Sequence, residues 1–144
     1  MTDLVRDAMV AEPPTCDAAA SAQAAGEELA RPEVRAVFVV EEGRLAGVVT
    51  RKTLVREVVA AGLDPTRVEL RAIAEPPLAT LRADMDLEQA FLFMEEQELE
   101  RVPVVEEDGR LVGVLSRAVV QRRLAEDRPP EEEPEQAERG TIGR

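Results

Sequence analysis

No histidine, tryptophan or tyrosine occurs in this chain of 144 residues, which holds one cysteine and three phenylalanines. Each absence removes a class of function. Without histidine the most versatile acid–base group and metal ligand is gone. A lone Cys16 completes neither a zinc set nor an internal disulfide, and no imidazole is present to activate it as a nucleophile. There is no glycine-rich phosphate loop and no EF-hand-like loop. The 30 Asp and Glu are scattered and single out no catalytic pair, so an enzyme is not expected. No apolar run approaches the ~18 residues of a membrane span, and MTDLVRDAMV lacks the regions of a secretory signal. A net charge of −12 leaves no clustered cations for nucleic acid. The expectation is a cytoplasmic protein with no nucleic-acid partner, no membrane contact, no metal and no required cofactor.

What is present repeats itself. Hydrophobic residues make up 44% of the chain, so Val, Leu, Ala and Met can fill a core. GRLAGVVTR (43–51) returns as GRLVGVLSR (109–117), which matches Gly47 to Gly113. A repeat of that period points to two similar supersecondary units packed together. Ala11-Glu12-Pro13-Pro14 also returns, as Ala74-Glu75-Pro76-Pro77, at a separation shorter by three. Taken at face value, the second copy is three residues longer in its early half. Loops tolerate extra length best, which places those residues around Leu81 to Asp84.

Each copy reads as helix, strand, helix, strand, strand, helix. A short helix over 1–10 has a stripe of Leu4, Val5, Ala8 and Met9 with Thr2 or Asp3 as cap, and the prolines end it. Helices follow over 18–31, capped by Asp17, and over 87–97, opened by the capping box of Asp86 and Gln89. In the latter, Phe91 to Met94 are apolar nearly all round, which predicts burial on more than one side. Strands are expected over 36–40, 45–50, 102–105 and 111–116, with Asp108-Gly109 as a hairpin turn. Closing helices run over 53–61, stopped by Gly62, and over 118–126, with Leu54, Val55, Val58 and Val59 as the apolar face of the first. Asp64 to Glu69 restarts a helix with Thr66 and Glu69 as a capping box, and Val5 matches Val68 at the separation of the paired prolines. The chain divides at 1–63, 64–126 and an acidic tail at 127–144. From Ala125 on, seven Asp or Glu face three Arg with almost no large apolar residues, a composition expected to be disordered.

Two copies of strand–helix–strand–strand–helix, each with Gly-apolar-apolar-Thr/Ser-Arg, resemble a tandem pair of CBS domains, the regulatory modules named for cystathionine β-synthase. The likeness covers about Leu4 to Leu124, and Val102-Pro103-Val104-Val105 matches the family's second-strand signature, where the first copy has Ala36-Val37-Phe38-Val39. The resemblance implies an α/β fold of two pseudo-symmetric β-α-β-β-α repeats with two clefts between them. It further implies an adenosine-containing ligand: AMP, ADP, ATP or S-adenosylmethionine. Apolar residues such as Val37, Val102 and Pro103 would sandwich the adenine, and Thr50 and Ser116 would meet a phosphate with Arg51 and Arg117 beside them. The family's ribose-binding Asp stands three residues after that Thr or Ser. Here Thr53 and Val119 occupy those places; Thr53 retains a hydroxyl and Val119 does not, which makes the Ser116 cleft the poorer one.

Simpler roles compete. Thr50 and Ser116 also suit helix N-caps. Arg35 and Arg101, which share the separation of the glycine motifs, suit ion pairs with any of the many carboxylates. Two functions therefore stand open: a sensor module that binds an adenosine ligand and signals to a protein partner, or a ligand-free dimerisation scaffold with vestigial clefts. Both include a homodimer formed through helices, because Phe91 to Met94 offer more apolar surface than one core needs.

Overall fold

The computed structural model describes residues 3–126. Among them, strands and helices follow in the order α1 (Val5–Ala8), β1 (Val10–Ala11), β2 (Thr15–Asp17), α2 (Ala22–Leu29), β3 (Val37–Glu41), β4 (Arg44–Val49), α3 (Arg51–Leu54), α4 (Leu70–Ile73), β5 (Leu81–Arg82), α5 (Leu87–Glu96), β6 (Arg101–Val105), β7 (Leu111–Ser116) and α6 (Arg117–Glu126). A π-helical turn, Val55–Val59, extends α3. The expected tail at 127–144 and the proposed cap Thr2 lie outside the described residues.

Each repeat builds its own sheet. In the first, β2 runs parallel to β3, and β3 pairs antiparallel with β4; in the second, β5, β6 and β7 repeat that order. Both hairpins turn through glycines with φ of +81° (Gly43) and +91° (Gly109), a region open to glycine because it has no Cβ. Behind the sheets lie two separate apolar cores. One gathers Ala22, Ala25 and Leu29 with Val37, Val39 and Val49; the other gathers Leu87, Ala90 and Met94 with Val102, Val104 and Leu115.

The two repeats exchange their leading segments. Helix α1 packs with the second repeat, burying Val5 in its core, and β1 pairs with β7 through Val10↔Val114 and Ala11↔Gly113. Helix α4 packs with the first repeat, burying Leu70 and Ile73, and Glu75 bridges Val48 at the edge of β4.

This arrangement corrects the repeat register. Val39 pairs with Gly47 where Val104 pairs with Gly113, and Glu75 pairs with Val48 where Val10 pairs with Val114. One constant offset therefore carries α1 through β3 onto α4 through β6. It grows by one at the hairpin, because the Glu106–Arg110 turn is one residue longer than Glu41–Arg44. Nothing extra lies at Leu81 to Asp84. The two Ala-Glu-Pro-Pro stretches are not equivalent: Glu75 corresponds to Val10, Val5 to Leu70 rather than Val68, and Arg101 to Ala36 rather than Arg35. Paired prolines fix where a helix cannot be, not which residue meets which strand.

Local corrections have local causes. Helix α2 begins at Ala22, not Ala18, because the Ser21 hydroxyl caps it by accepting from the Ala24 N–H at 3.2 Å. Asp17 ends β2, and its carboxylate accepts from Ala19 in a tight turn. Thr66 and Glu69 form no capping box; Asp64 accepts from both the Thr66 amide and its hydroxyl, and Glu69 pairs with Arg71. Helix α1 spans four residues rather than ten. Asp86 caps α5, accepting from the Gln89 amide at 3.1 Å, which is one half of the expected capping box; among the described residues no bond returns from the Gln89 side chain to the Asp86 amide. The apolar sweep of α5 is incompletely buried: Met94 is in the core, yet Leu92 is 57% exposed. Along the α3 extension Val58 is buried while Val55 and Val59 face out, so the expected apolar face is split.

Candidate functional site

Strand alternation and the exchanged segments together create a cavity of about 560 Å³ between the repeats. On β3, Val37 and Val39 turn into the core, so Phe38, and Ala36 just before the strand, turn the other way and line the cavity. The β4 edge adds Val48 and Thr50, and the segment after α4 adds Glu75. The opposite wall comes from Arg101, Val102 and Pro103 of β6, Val114 and Ser116 of β7, and Val10 of β1. The chain after each exchanged segment crosses back over the cavity: the Pro14 carbonyl accepts from the Phe38 amide of the first repeat, and Ala79 packs on the second core. Each wall thus combines one repeat's hairpin with the leading segment exchanged to it. Thr50 and Ser116, at corresponding strand ends, open onto the same space.

Of the residues singled out from the sequence, Thr50, Val102, Pro103 and Ser116 lie on the cavity wall, and Val37, Arg51, Thr53 and Arg117 do not. Val37 is fully buried in the first core, one residue out of phase with the cavity. Arg51 donates to the Arg31 carbonyl at 2.9 Å, and Arg117 donates to the Glu100 carboxylate at 2.6 Å. Thr53 is 1% exposed and serves the helix start. Its hydroxyl oxygen accepts from the Thr50 amide at 3.1 Å and lies 3.1 Å from the Thr50 hydroxyl, which accepts in turn from the Thr53 amide at 3.3 Å. Ser116 is held more loosely, with a single contact of 3.5 Å from the Val119 amide. Neither Thr53 nor Val119 lines the cavity.

Sequence reasoning missed Phe38, the four prolines and Glu75. Period-two alternation outward from Val37 would have marked Ala36 and Phe38; nothing in the sequence announced the proline walls, because they depend on the exchange. Arg35 and Arg101 do not form the expected ion pairs: both line the cavity, and among the described residues neither has an ion-pair partner. The other charges there are matched. Arg31 sits 3.4 Å from Glu33, and Glu75 pairs with Arg56. In a chain of net charge −12, two unmatched guanidiniums on one apolar cavity suit an anion.

Among the described residues no group of three His, Cys, Asp or Glu is placed to hold a metal ion, and no helix is long and apolar enough to cross a membrane. Burial pushes the Cys16 thiol above its ordinary range, and the nearby Glu28 carboxylate adds to the shift, which leaves it a poor nucleophile.

Known proteins carry the same architecture. Hypoxic response protein 1 of Mycobacterium tuberculosis is 34% identical over 86 residues, covering 60% of this chain and 59% of that protein. A crystal structure of Hypoxic Response Protein I with two coordinated zinc ions superposes with a TM-score of 0.70 at 28% identity, over 84% of this chain and 98% of the other. CBSX2 in complex with AMP gives 0.67 at 25% identity, over 85% and 96%. The cytosolic domain of the Mg2+ channel MgtE in complex with ATP gives 0.67 at 28%, over 83% and 48%. The chain spans between 15% and 59% of the lengths of the curated relatives it matches. The CBS domain model matches twice, at residues 5–60 and 70–126, and the chain belongs to the CBS domain family as a pair of such domains.

Proposed function

We propose that this CBS pair is a regulatory module that binds an adenosine nucleotide in the cavity between its repeats and signals occupancy to a partner protein, without catalysing a reaction. The observation that carries the reading is the convergence of Thr50, Ser116 and two arginines unmatched among the described residues, Arg35 and Arg101, on one apolar cavity. Its volume falls within the range of small-ligand sites. Phe38, Val48, Pro103 and Val114 supply flat and aliphatic surface for a base, and the guanidiniums supply charge for phosphate. The structural relatives bound to AMP and to ATP support the same ligand class. S-adenosylmethionine fits less well, because its sulfonium would enter a cavity with an excess of cations. The half-buried, unactivated thiol of Cys16 suits a reducing cytoplasm.

The homodimer belongs to this proposal. Val55, Val59 and Leu63 on the first repeat and Leu92 on the second leave apolar surface on the helical sides of the molecule. A monomer by light scattering at micromolar concentration would refute that part. A second reading, a ligand-free scaffold, draws on Thr53, which is buried and committed to Thr50, and on Val119, which lies off the cavity.

Thermal unfolding with AMP, ADP, ATP and S-adenosylmethionine separates the two. Ligand at 100 times its dissociation constant adds about 2.7 kcal/mol, a shift of several degrees. A shift with nucleotides supports the sensor. No shift at millimolar concentration of any of them supports the scaffold.

A further inference from the structure

We infer that the cavity takes one nucleotide per chain in one orientation, with its phosphates on the second repeat's wall at Arg101 and Ser116, and that Glu75 and Ala36 deny the first repeat's wall an equivalent phosphate site. This deepens the nucleotide reading and rests on it.

The pseudo-twofold relation would make two equivalent phosphate sites, one at Thr50 and one at Ser116. The corrected register shows where the equivalence is broken. Arg101 is the direct cross-strand partner of Ser116 on β6 and β7. In the same register the position facing Thr50 is Ala36, which has no charge. Val10 pairs with Val114 beside Ser116, while Glu75 takes the corresponding place against Val48, two residues from Thr50.

The walls therefore differ at the hydroxyl itself. Arg101 is the single charged residue lining the second wall among the described residues, and it stands directly across from Ser116. On the first wall Arg31 lies beside Glu33 and Glu75 pairs with Arg56, which leaves Arg35, one residue short of the position that faces Thr50. A carboxylate, Glu75, stands against the strand edge that leads to Thr50. Carboxylates do suit the other end of a nucleoside, whose hydroxyl and amino groups donate hydrogen bonds. The same asymmetry appears in the hydroxyls. The Thr50 oxygen already accepts from the Thr53 amide and shares a bond with the Thr53 hydroxyl, whereas the Ser116 hydroxyl has one contact at 3.5 Å. Phosphate at Ser116 and nucleoside toward Glu75 is the orientation in which each group meets its complement.

Titration calorimetry with AMP and with adenosine tests this. The unaltered protein should bind one AMP per chain. Arg101→Ala should weaken AMP about tenfold or more and leave adenosine within about twofold, adenosine also serving as the folding control. Thr50→Val should change AMP affinity less than Ser116→Ala. The double variant Ala36→Arg with Glu75→Val, which restores the internal symmetry, should bind two AMP per chain. Two AMP on the unaltered protein, equal losses of AMP and adenosine in Arg101→Ala, or a double variant that still binds one would overturn the inference while leaving nucleotide binding intact. Absence of any binding by AMP, ADP or ATP would overturn the proposed function, and this inference with it.

Discussion

Gly47 and Gly113 stand where each exchanged segment crosses a hairpin strand, and exchanging them for alanine is a stringent test of that packing. A Cβ at Gly113 would lie 2.7 Å from the Met9 sulfur and 2.9 Å from the Val10 carbonyl oxygen; one at Gly47 would lie 2.8 Å from the Ala74 Cβ and 3.0 Å from the Glu75 carbonyl oxygen. The Met9 thioether can swing aside. The Val10 and Glu75 carbonyls are backbone, and the Glu75 oxygen is the acceptor that holds Val48 at 2.8 Å. Relief therefore means lifting the segment, which costs about 1–3 kcal/mol of overpacking and a further ~1 kcal/mol for each backbone bond lost. Two other glycines serve as controls. Gly62 has φ +73° and open space around it, so alanine costs about 1 kcal/mol from conformation alone. Gly26 lies within α2 with Leu54 at an ordinary 3.7 Å, so alanine gains about 0.5–1 kcal/mol of helix propensity. Thermal unfolding of the four variants should rank Gly26→Ala above the parent, Gly62→Ala a few degrees below it, and Gly47→Ala and Gly113→Ala lowest, at roughly 3–5 °C per kcal/mol. If Gly47→Ala and Gly113→Ala lose no more than Gly62→Ala, the close crossing of the exchanged segments is wrong.

Three further outcomes follow from side chains with defined surroundings. Thr53→Val removes both bonds to Thr50 from a buried site and should cost about 1–2 kcal/mol in denaturant titration, while Thr53→Ser retains most of it. Met94→Ala empties a fully buried position of the second core and should cost about 2–5 kcal/mol, against a change within about 1 kcal/mol for Leu92→Ala on the exposed side of the same helix. The Cys16 thiol is raised, so its thiolate fraction at pH 7–8 is low and an aromatic disulfide reagent should modify it more slowly than it modifies free cysteine. The folded state retains that proton to higher pH than the unfolded chain does. Stability from this source is thus intact below the unfolded pKa and declines as pH rises through the folded one, and Cys16→Ala should flatten that alkaline limb.

The sequence was most legible where local chemistry alone decides the structure. Gly43 and Gly109 mark both hairpins, Asp86 marks the start of α5, and alternating valines mark β3, β4, β6 and β7. It was least legible where one segment has to find another. The repeated Ala-Glu-Pro-Pro reads like a ruler and is two residues off, because its glutamates answer to different partners: Glu75 to Val48 on the β4 edge, Glu12 to a turn at φ +55° beyond β1. That error carries into the site. Counting from the glycine motifs makes Arg35 the mate of Arg101, when the sheet register makes it Ala36, and so hides that Ser116 faces a cation where Thr50 faces none. Val37 fails as a cavity residue for a related reason, since one step along a strand reverses the face.

The exchange of α1 and α4 also fixes what the cavity can report. The two cores share no residue, so each repeat is a packed unit in its own right, and the packed interior within each resists deformation. What joins them is the pair of leading segments, Val5 and β1 on the second repeat and Leu70, Ile73 and Glu75 on the first, together with two backbone bonds between the hairpin turns, from the Leu45 amide to the Gly109 carbonyl and from the Leu111 amide to the Gly43 carbonyl. A cut between residues 63 and 64 would strip Leu70 and Ile73 from the first core and Val5 from the second, so the separated halves should be unstable alone and regain structure when mixed. The same segments line the cavity, one through Val10, Pro13 and Pro14 and the other through Glu75, Pro76 and Pro77. A molecule seated there touches both hairpins and both crossing segments at once. Its binding energy is therefore applied at the seam between two rigid bodies, where a small displacement meets the least resistance.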